Sequence, residues 1–444
     1  MRTNAGRIVG LIALSLCGAA SARATWSIIL VDTENQEIAI GSATCLQFFD
    51  LQRGVPVLRV RVGAAAAQSF IDPSAQNRMF IWDELANGTD PAAILKELAV
   101  RDPAHQTRQY GIVDVLGRAA TFSGSENGAY ANGLTGRIGS IAYAIQGNVL
   151  TGQPVLDQAE AALRNTPGGI PEKLMAAMEA ARAMGGDGRC SCPGPDPTGC
   201  GSPPPKFSKA AHIGFMIDAR RGDIDGACVR RFGCATGVYF MNFNILSPNG
   251  DDRDPVIQLR EQFDVWRTGL IGVPDASASR ITVTPAALPA DGTSTATLSI
   301  EVRDWQGLPA SGIQMVGAAH DWEGSAGSST IGPVENLGNG NFRAVLTAGT
   351  TTGQDNIVVL VQHTGGTTIL TPDGKLLVHH NFGDLNGDGR LDGGDIDPLF
   401  LALGDPVLYQ ARFPDVAFRL VGDINHDGRF DAADIDPFFL LLGG

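Results

Sequence analysis

The chain carries near-continuous apolar runs of strand length over 26–31, 38–44 and 57–67. Runs without a polar alternate face predict strands covered on both sides. Helices are predicted over 75–87 and 91–100, the second with Asp90 as N-cap before Pro91 at the first helical position. Strands return over 110–115, 119–122 and 141–146, and two more helices follow. In the second of these, Leu174, Met178 and Ala181 recur at helical spacing. Strands over 213–218 and 238–246 and a helix over 255–268 close the region. Hairpins take the place of regular crossovers, which predicts an α+β domain over 25–272 with two stacked sheets between helical layers.

From 276 to 380 the pattern changes to short strands between polar, Gly-rich turns. Ile281-Thr282-Val283 and the runs 295–302, 342–347 and 356–362 carry the signature of a β-sandwich. The stretch Pro289-Ala290-Asp291-Gly292-Thr293-Ser294, leading into Ala296-Thr297-Leu298, resembles bacterial immunoglobulin-like domains of the invasin type. Trp305 and Trp322 offer faces on which a sugar could stack, although packing is the commoner fate of aromatics in a sandwich.

Charge sharpens this division. The net charge is -14 over 444 residues, which argues against nucleic acid as a partner, since phosphate binding needs a basic face. The tail from Gly383 to Gly444 holds twelve Asp against four Arg, and so carries -8 of that total. Such a concentration of carboxylates either repels itself or holds cations.

Residues 1–24 read as an export signal. Arg2 and Arg7 precede an apolar run over 8–20, and Ala22-Arg23-Ala24 fits a small-x-small cleavage site. No later segment is long enough to span a bilayer. Without Cys17 of the signal six Cys remain, with Cys190, Cys192, Cys200, Cys228 and Cys234 crowded together and Cys45 standing apart. In an oxidising compartment this predicts a disulfide framework whose pairing is open. A zinc site is the rival reading; paired Cys-x-x-Cys is lacking and His212 is the histidine nearby. The Pro- and Gly-rich segment 190–206 is predicted to be a surface insertion.

The acidic tail is an internal repeat. Gly383–Gly404 aligns without gaps to Gly422–Gly443, with 15 of 22 positions identical. Oxygen-bearing residues fall at alternate positions: Asp384, Asn386, Asp388 and Asp392, then Asp423, Asn425, Asp427 and Asp431. Gly389 and Gly428 stand sixth, where such a loop turns sharply, and Asp395 and Asp434 stand twelfth, where a bidentate carboxylate is needed. Arg390 and Arg429 would contribute backbone carbonyls. The spacing predicts two Ca2+ ions, since calcium takes six to eight hard oxygens in a flexible ring. The pair resembles a type I dockerin, a small all-α module with two calcium loops that plugs enzymes into cohesin-bearing scaffolds. That resemblance implies a cohesin-like or cell-surface protein as partner. It departs from the family at Gly393-Gly394 and Ala432-Ala433, where recognition side chains are expected.

The first domain resembles the family known as domain of unknown function 1028, grouped with N-terminal-nucleophile hydrolases. The residues that carry this are Thr25-Trp26-Ser27-Ile28, Val62-Gly63-Ala64 leading to Ala67-Gln68, and Gln109-Tyr110-Gly111-Ile112-Val113-Asp114. The stretch 119–124, Gln146-Gly147-Asn148 and Gly185-Gly186-Asp187-Gly188-Arg189 complete the match. The resemblance implies a four-layer α-β-β-α sandwich, interrupted here by the Cys-rich insert.

Cleavage after Ala24 would leave Thr25 first in the mature chain. A free α-amine, with a reference pKa of about 7.7–8.0, can take the proton from the hydroxyl of the same residue. Asn148 and Gln68 are candidate oxyanion donors, and Asp187 and Arg189 candidates for orienting the amine or a substrate carboxylate. Cys45 as a thiol nucleophile has no positional support. The functions that follow are an exported calcium-binding, dockerin-type protein with an amide hydrolase domain, a non-catalytic surface or assembly protein, or a component of a polysaccharide-degrading complex.

Overall fold

The computed structural model describes residues 25–247, 253–322 and 324–443; the segment 1–24, where an export signal is expected, lies outside them. The first region contains β1 (Thr25–Asp32), β2 (Ile38–Thr44), α1 (Leu51–Gly54), β3 (Pro56–Arg59) and β4 (Gly63–Ser69). It continues through α2 (Gln76–Ala86), α3 (Pro91–Arg101), β5 (Arg108–Asp114), β6 (Ala119–Ser123), β7 (Asn132–Ile138) and β8 (Ile141–Asn148). It closes with α4 (Pro154–Asn165), α5 (Ile170–Ala183), α6 (Gly188–Ser191), β9 (Ile213–Ala219), β10 (Met241–Ile245) and α7 (Pro255–Gly269).

Two antiparallel sheets result, in the orders β10-β9-β2-β1-β8-β7 and β3-β4-β5-β6. Alternation along each strand sorts side chains into three cores. Trp26, Ile28 and Leu30 of β1 point to α4, α5 and α7, joining Leu156, Leu174, Met178 and Leu259. Ile29 and Val31 point the other way, into an inter-sheet core with Ile38, Ile40, Ala64, Ala66, Val113, Ala142 and Ala144. Ile81, Leu85, Ile94 and Leu98 of α2 and α3 cover the outer face of the smaller sheet at Ala65, Tyr110 and Ile112. The order of layers is helix, sheet, sheet, helix. Asp90 caps α3 through Ala92 N–H at 2.8 Å, with Pro91 at the first position.

The apolar run 57–67, read as one strand, is a hairpin. Arg61 adopts a left-handed φ of 62° and turns β3 into β4. Both arms are buried, so the composition gives no break where the chain reverses.

The sandwich follows the sequence closely. One sheet pairs Arg280–Thr284, Thr295–Glu301, Asn341–Ala348 and Ser329–Ile331; the other pairs Ala287–Pro289, Gly374–His379, Gly353–His363 and Ile313–His320. Leu298, Ile300, Leu346, Val359 and Leu376 fill the space between. It is tied to the first domain by buried charge. Arg220 donates to Glu37 at 3.0 Å and to Asp275 at 2.9 Å, while Arg221 reaches Asp321 and Asp373 across the joint. Burial pushes the Asp218 carboxyl well up, and the negative charge of Glu37 pushes it further. Trp305 belongs to this joint, its indole N–H donating to the Arg267 carbonyl at 3.0 Å, whereas Trp322 is exposed.

No helix among the described residues is long and apolar enough to cross a membrane.

Candidate functional site

The interior between the two sheets changes character along the strands. Toward one end its lining is Ile29, Val31, Ile38, Ile40, Ala142 and Ala144. Toward the other end the same faces carry Thr25 and Ser27 on β1, Ser42 and Thr44 on β2, and Gln146 and Asn148 on β8. Gln68 of β4 and Gln109 of β5 reach across from the smaller sheet. All eight are buried. Polar groups gathered at one end of an apolar sandwich have to satisfy one another.

Gln68 does this for Thr25, Ser27 and Gln109, whereas the buried Gln146 amide has no hydrogen-bond partner among the described residues. Gln68 Nε2 donates to the Thr25 carbonyl and to Gln109 Oε1, both at 2.8 Å, and its Oε1 accepts from the Ser27 hydroxyl. Ser27 also donates toward Ser42 Oγ at 2.9 Å, and Ser42 donates to the Trp26 carbonyl at 2.7 Å. Gln109 Nε2 meets the Gly147 carbonyl and Ser123 Oγ at 2.8 and 2.7 Å. A net hydrogen bond contributes about 1 kcal/mol, whereas a buried group left unpaired costs about 1–3 kcal/mol. The network therefore fixes positions more than it adds stability. With both of its N–H groups engaged, Gln68 holds the backbone of Thr25 and has no N–H left for an oxyanion, the role its sequence position suggests.

Thr25 pairs in register with Asn148. Asn148 Nδ2 donates to Ser69 Oγ at 3.1 Å and to the Asn127 carbonyl at 3.3 Å. On the opposite flank the end of β2 meets α6. Asp187 is fully buried, accepts from Cys45 N–H at 2.6 Å, and pairs with Arg189 at 2.8 Å. Arg189 also lies 3.4 Å from Thr44 Oγ1. Thr25 and Asn148 are thus strand-paired, Gln68 holds the Thr25 backbone, and Asp187 and Arg189 sit at the end of the neighbouring strand.

The disulfides locate the rest. Cys45 pairs with Cys190, Cys192 with Cys200, and Cys228 with Cys234. Cys45 is a cystine, which removes it as a thiol nucleophile. It fastens the residue after Thr44 to the residue after Arg189, and the insert beyond it rejoins the fold where Asp187 N–H bonds the Ala210 carbonyl at 3.1 Å. Ser42, Thr44, Ser69 and Asn127 are not candidates on sequence alone, and Ser27 and Gln109 enter there only within the family resemblance. Their signal was there at alternate positions: Ser27 and Gln109 are polar residues on inward faces that are otherwise apolar.

Residues 25–192 match DUF1028, a family of unknown function. Residues 275–372 match invasin domain 3. Among solved structures, the chain is similar to a DUF1028 protein from Silicibacter pomeroyi at 18% identity, over 55% of this chain and 88% of that one, with a TM-score of 0.41. It is similar to the adhesin InvE of Yersinia pseudotuberculosis at 25% identity, over 24% of this chain and 27% of that one, with a TM-score of 0.20. The Escherichia coli adhesin FdeC matches at 11% identity, over 62% of this chain and 58% of that one, with a TM-score of 0.21. The chain thus spans less than two thirds of either adhesin. No curated protein matches it.

Beyond the DUF1028 and invasin-type regions, the repeated tail folds around a small core of Leu385, Leu399, Tyr409, Phe418, Val421 and Phe438. Each loop leads through a 3-10 turn into a helix, Ile396–Gly404 or Ile435–Gly443. Asp384 accepts from the N–H groups of Gly387 and Gly389 at 2.9 and 3.0 Å, and Asp423 from Asp427 and Gly428 at 3.1 and 3.0 Å. Asn386 pairs with Asp388, and Asn425 with Asp427, at 3.2 Å in both loops. The backbone N–H groups of Arg390 and Arg429 donate to Asp388 and Asp427, each two residues back, at 2.9 Å. Asp392 and Asp431 cap the 3-10 turns through Gly394 and Ala433. Gly389 and Gly428 have φ of 83° and 84°, the left-handed turn that glycine allows.

Asp384, Asp395 and Asp434 are buried, and the oxygens of Asp395 and Asp434 are held by loop amides. Burial pushes the Asp395 carboxyl up, with the charge of Asp384 adding to it. Buried carboxylates on a hard-oxygen loop are the donor set that suits Ca2+. Asp384, Asn386, Asp388, Asp392 and Asp395, with the Arg390 carbonyl, would hold one ion, and their counterparts from Asp423 to Asp434 the other.

Proposed function

We propose that this is an exported protein whose dockerin-like tail binds two Ca2+ ions and whose first domain hydrolyses an amide bond with Thr25 as N-terminal nucleophile. The observation that carries the first part is the repetition of one hydrogen-bond scheme in two loops of nearly the same sequence. Ca2+ bound there screens carboxylates that otherwise repel, so it stabilises the tail and presents its helices to a cohesin-like or cell-surface partner.

For the first domain, support comes from the place of Thr25. It heads a central strand, its carbonyl is held by Gln68, and the DUF1028 match begins at that residue. In the mature chain the Thr25 α-amine takes the hydroxyl proton as the oxygen attacks the amide carbonyl. The amine then passes the proton to the leaving nitrogen, and water resolves the ester. Asn148 lies across the ladder from Thr25, where its amide would leave Ser69 or the Asn127 carbonyl to face a developing oxyanion, and Asp187 with Arg189 orients the groups at the end of β2. The test is N-terminal sequencing of the exported chain, followed by an amide library with wild type and Thr25→Ala.

A second reading is a non-catalytic surface or assembly protein. The invasin-type sandwich, held to the first domain by Arg220 and Arg221, favours it. A component of a polysaccharide-degrading complex rests on the dockerin resemblance alone.

A further inference from the structure

The three half-buried residues Cys45, Cys190 and His212 have ligand atoms that all lie within 4.8 Å of one another. Two of these atoms are the sulfurs of a cystine. We propose that reduction of this disulfide creates a Cys2His site for a soft divalent metal, zinc in the first place, beside Asp187 and Arg189. The proposal is independent of Thr25 acting as a nucleophile.

Chemistry and geometry both point to zinc. Thiolate and imidazole are its preferred ligands, at about 2.3 Å for sulfur and 2.0–2.1 Å for nitrogen. Two sulfurs on one tetrahedral zinc stand about 3.8 Å apart by that bond length. Rotation of the two side chains on α-carbons 5.6 Å apart supplies that spacing without moving the backbone. The backbone is held in any case: His212 N–H donates to the Thr44 carbonyl at 2.8 Å, and Cys45 N–H donates to Asp187. His212 and Cys45 therefore stay beside each other whether the sulfurs are bonded or not. Gln47 Nε2, 3.1 Å from His212 Nε2 on the exposed side, is the group that moves if that nitrogen takes the metal. Three protein ligands leave a fourth position for water, the arrangement of an open zinc site.

The redox step balances. The sulfur–sulfur bond takes two electrons and two protons from a dithiol, which leaves as its own disulfide, and two thiols form. Zinc then displaces both thiol protons. With a phosphine as reductant, the phosphine is oxidised to its oxide with the oxygen of one water, whose protons go to the sulfurs.

The test uses the full chain, reduced with a phosphine, desalted without air and titrated with Co2+. Thiolate-to-cobalt charge-transfer absorption reports sulfur ligands and is blind to carboxylate loops. The expected result is one equivalent bound with this absorption after reduction and none before. Cys45→Ser abolishes it, and His212→Ala weakens binding by about 10-fold or more. A variant with Cys192, Cys200, Cys228 and Cys234 all changed to serine keeps it. No absorption in the reduced wild type overturns the proposal. So does absorption that survives undiminished in Cys45→Ser or His212→Ala, which is also what sulfur ligands from an unfolded chain would give.

Discussion

Asp395 and Asp434 do the same work 39 positions apart. Asp395 takes the N–H groups of Leu385 and Asn386 on one oxygen, at 2.9 and 3.0 Å, and that of Asp392 on the other at 3.0 Å. Asp434 takes Ile424, Asn425 and Asp431 in the same way, at 2.9, 3.2 and 3.0 Å. Each closes its loop from the twelfth position.

Ca2+ is expected to stabilise the tail apart from the other domains. Limited proteolysis with chelator should cut within residues 383–443 and leave the rest intact, and added Ca2+ should protect it. At a free concentration 100 times Kd the gain is about 2.7 kcal/mol. Equal cleavage in Ca2+ and chelator contradicts this.

Gln68→Leu is expected to destabilise the first domain by about 2–3 kcal/mol, because Ser27, Gln109 and the Thr25 carbonyl lose a buried partner together. Gln109→Leu in the same background should cost less than it does alone, since the two share one network. Chemical denaturation of the four chains measures this, and strict additivity counts against the network.

The buried Asp218 predicts a pH dependence with a definite sign. Its folded pKa is raised, chiefly by burial, so the native state holds a proton that the unfolded chain releases. Stability is fully present below the unfolded pKa, near 3.9, and falls as pH rises toward the folded value. Asp218→Asn should flatten that decline and raise Tm at pH 8 by about 2–4 °C. A lower Tm for this variant at pH 8 would show the carboxylate to be ionised and useful to Arg220.

Thr25→Ala is expected to lower amide turnover by about 10^3-fold or more while leaving the fold in place. Turnover that survives the change, or a mature chain that starts before Thr25, removes the nucleophile.

Much of this was legible in the sequence, for physical reasons. The layer order and the sandwich strands follow from period and run length, and the cap at Asp90 from Pro91 after it. The turn at Arg61 was not legible, because a hairpin buried on both arms reads as one apolar run. The partner of Cys45 was not either, since its pairing to Cys190 depends on β2 and α6 meeting across 145 residues. The inter-sheet polar network hid in plain alternation. Ser27 looks like an accident in an apolar strand until Gln68 and Ser42 stand opposite it. The glycine at 111 is explained the same way, because a β-carbon there would meet the Gln146 side chain at 2.1 Å.

Calorimetric titration of Ca2+ into the full, chelator-stripped chain tests the central claim most directly. The account predicts two ions bound per chain, one remaining in Asp395→Asn or in Asp434→Asn, and none in the double variant. No binding to the wild type, or two ions still bound by either single variant, would contradict it.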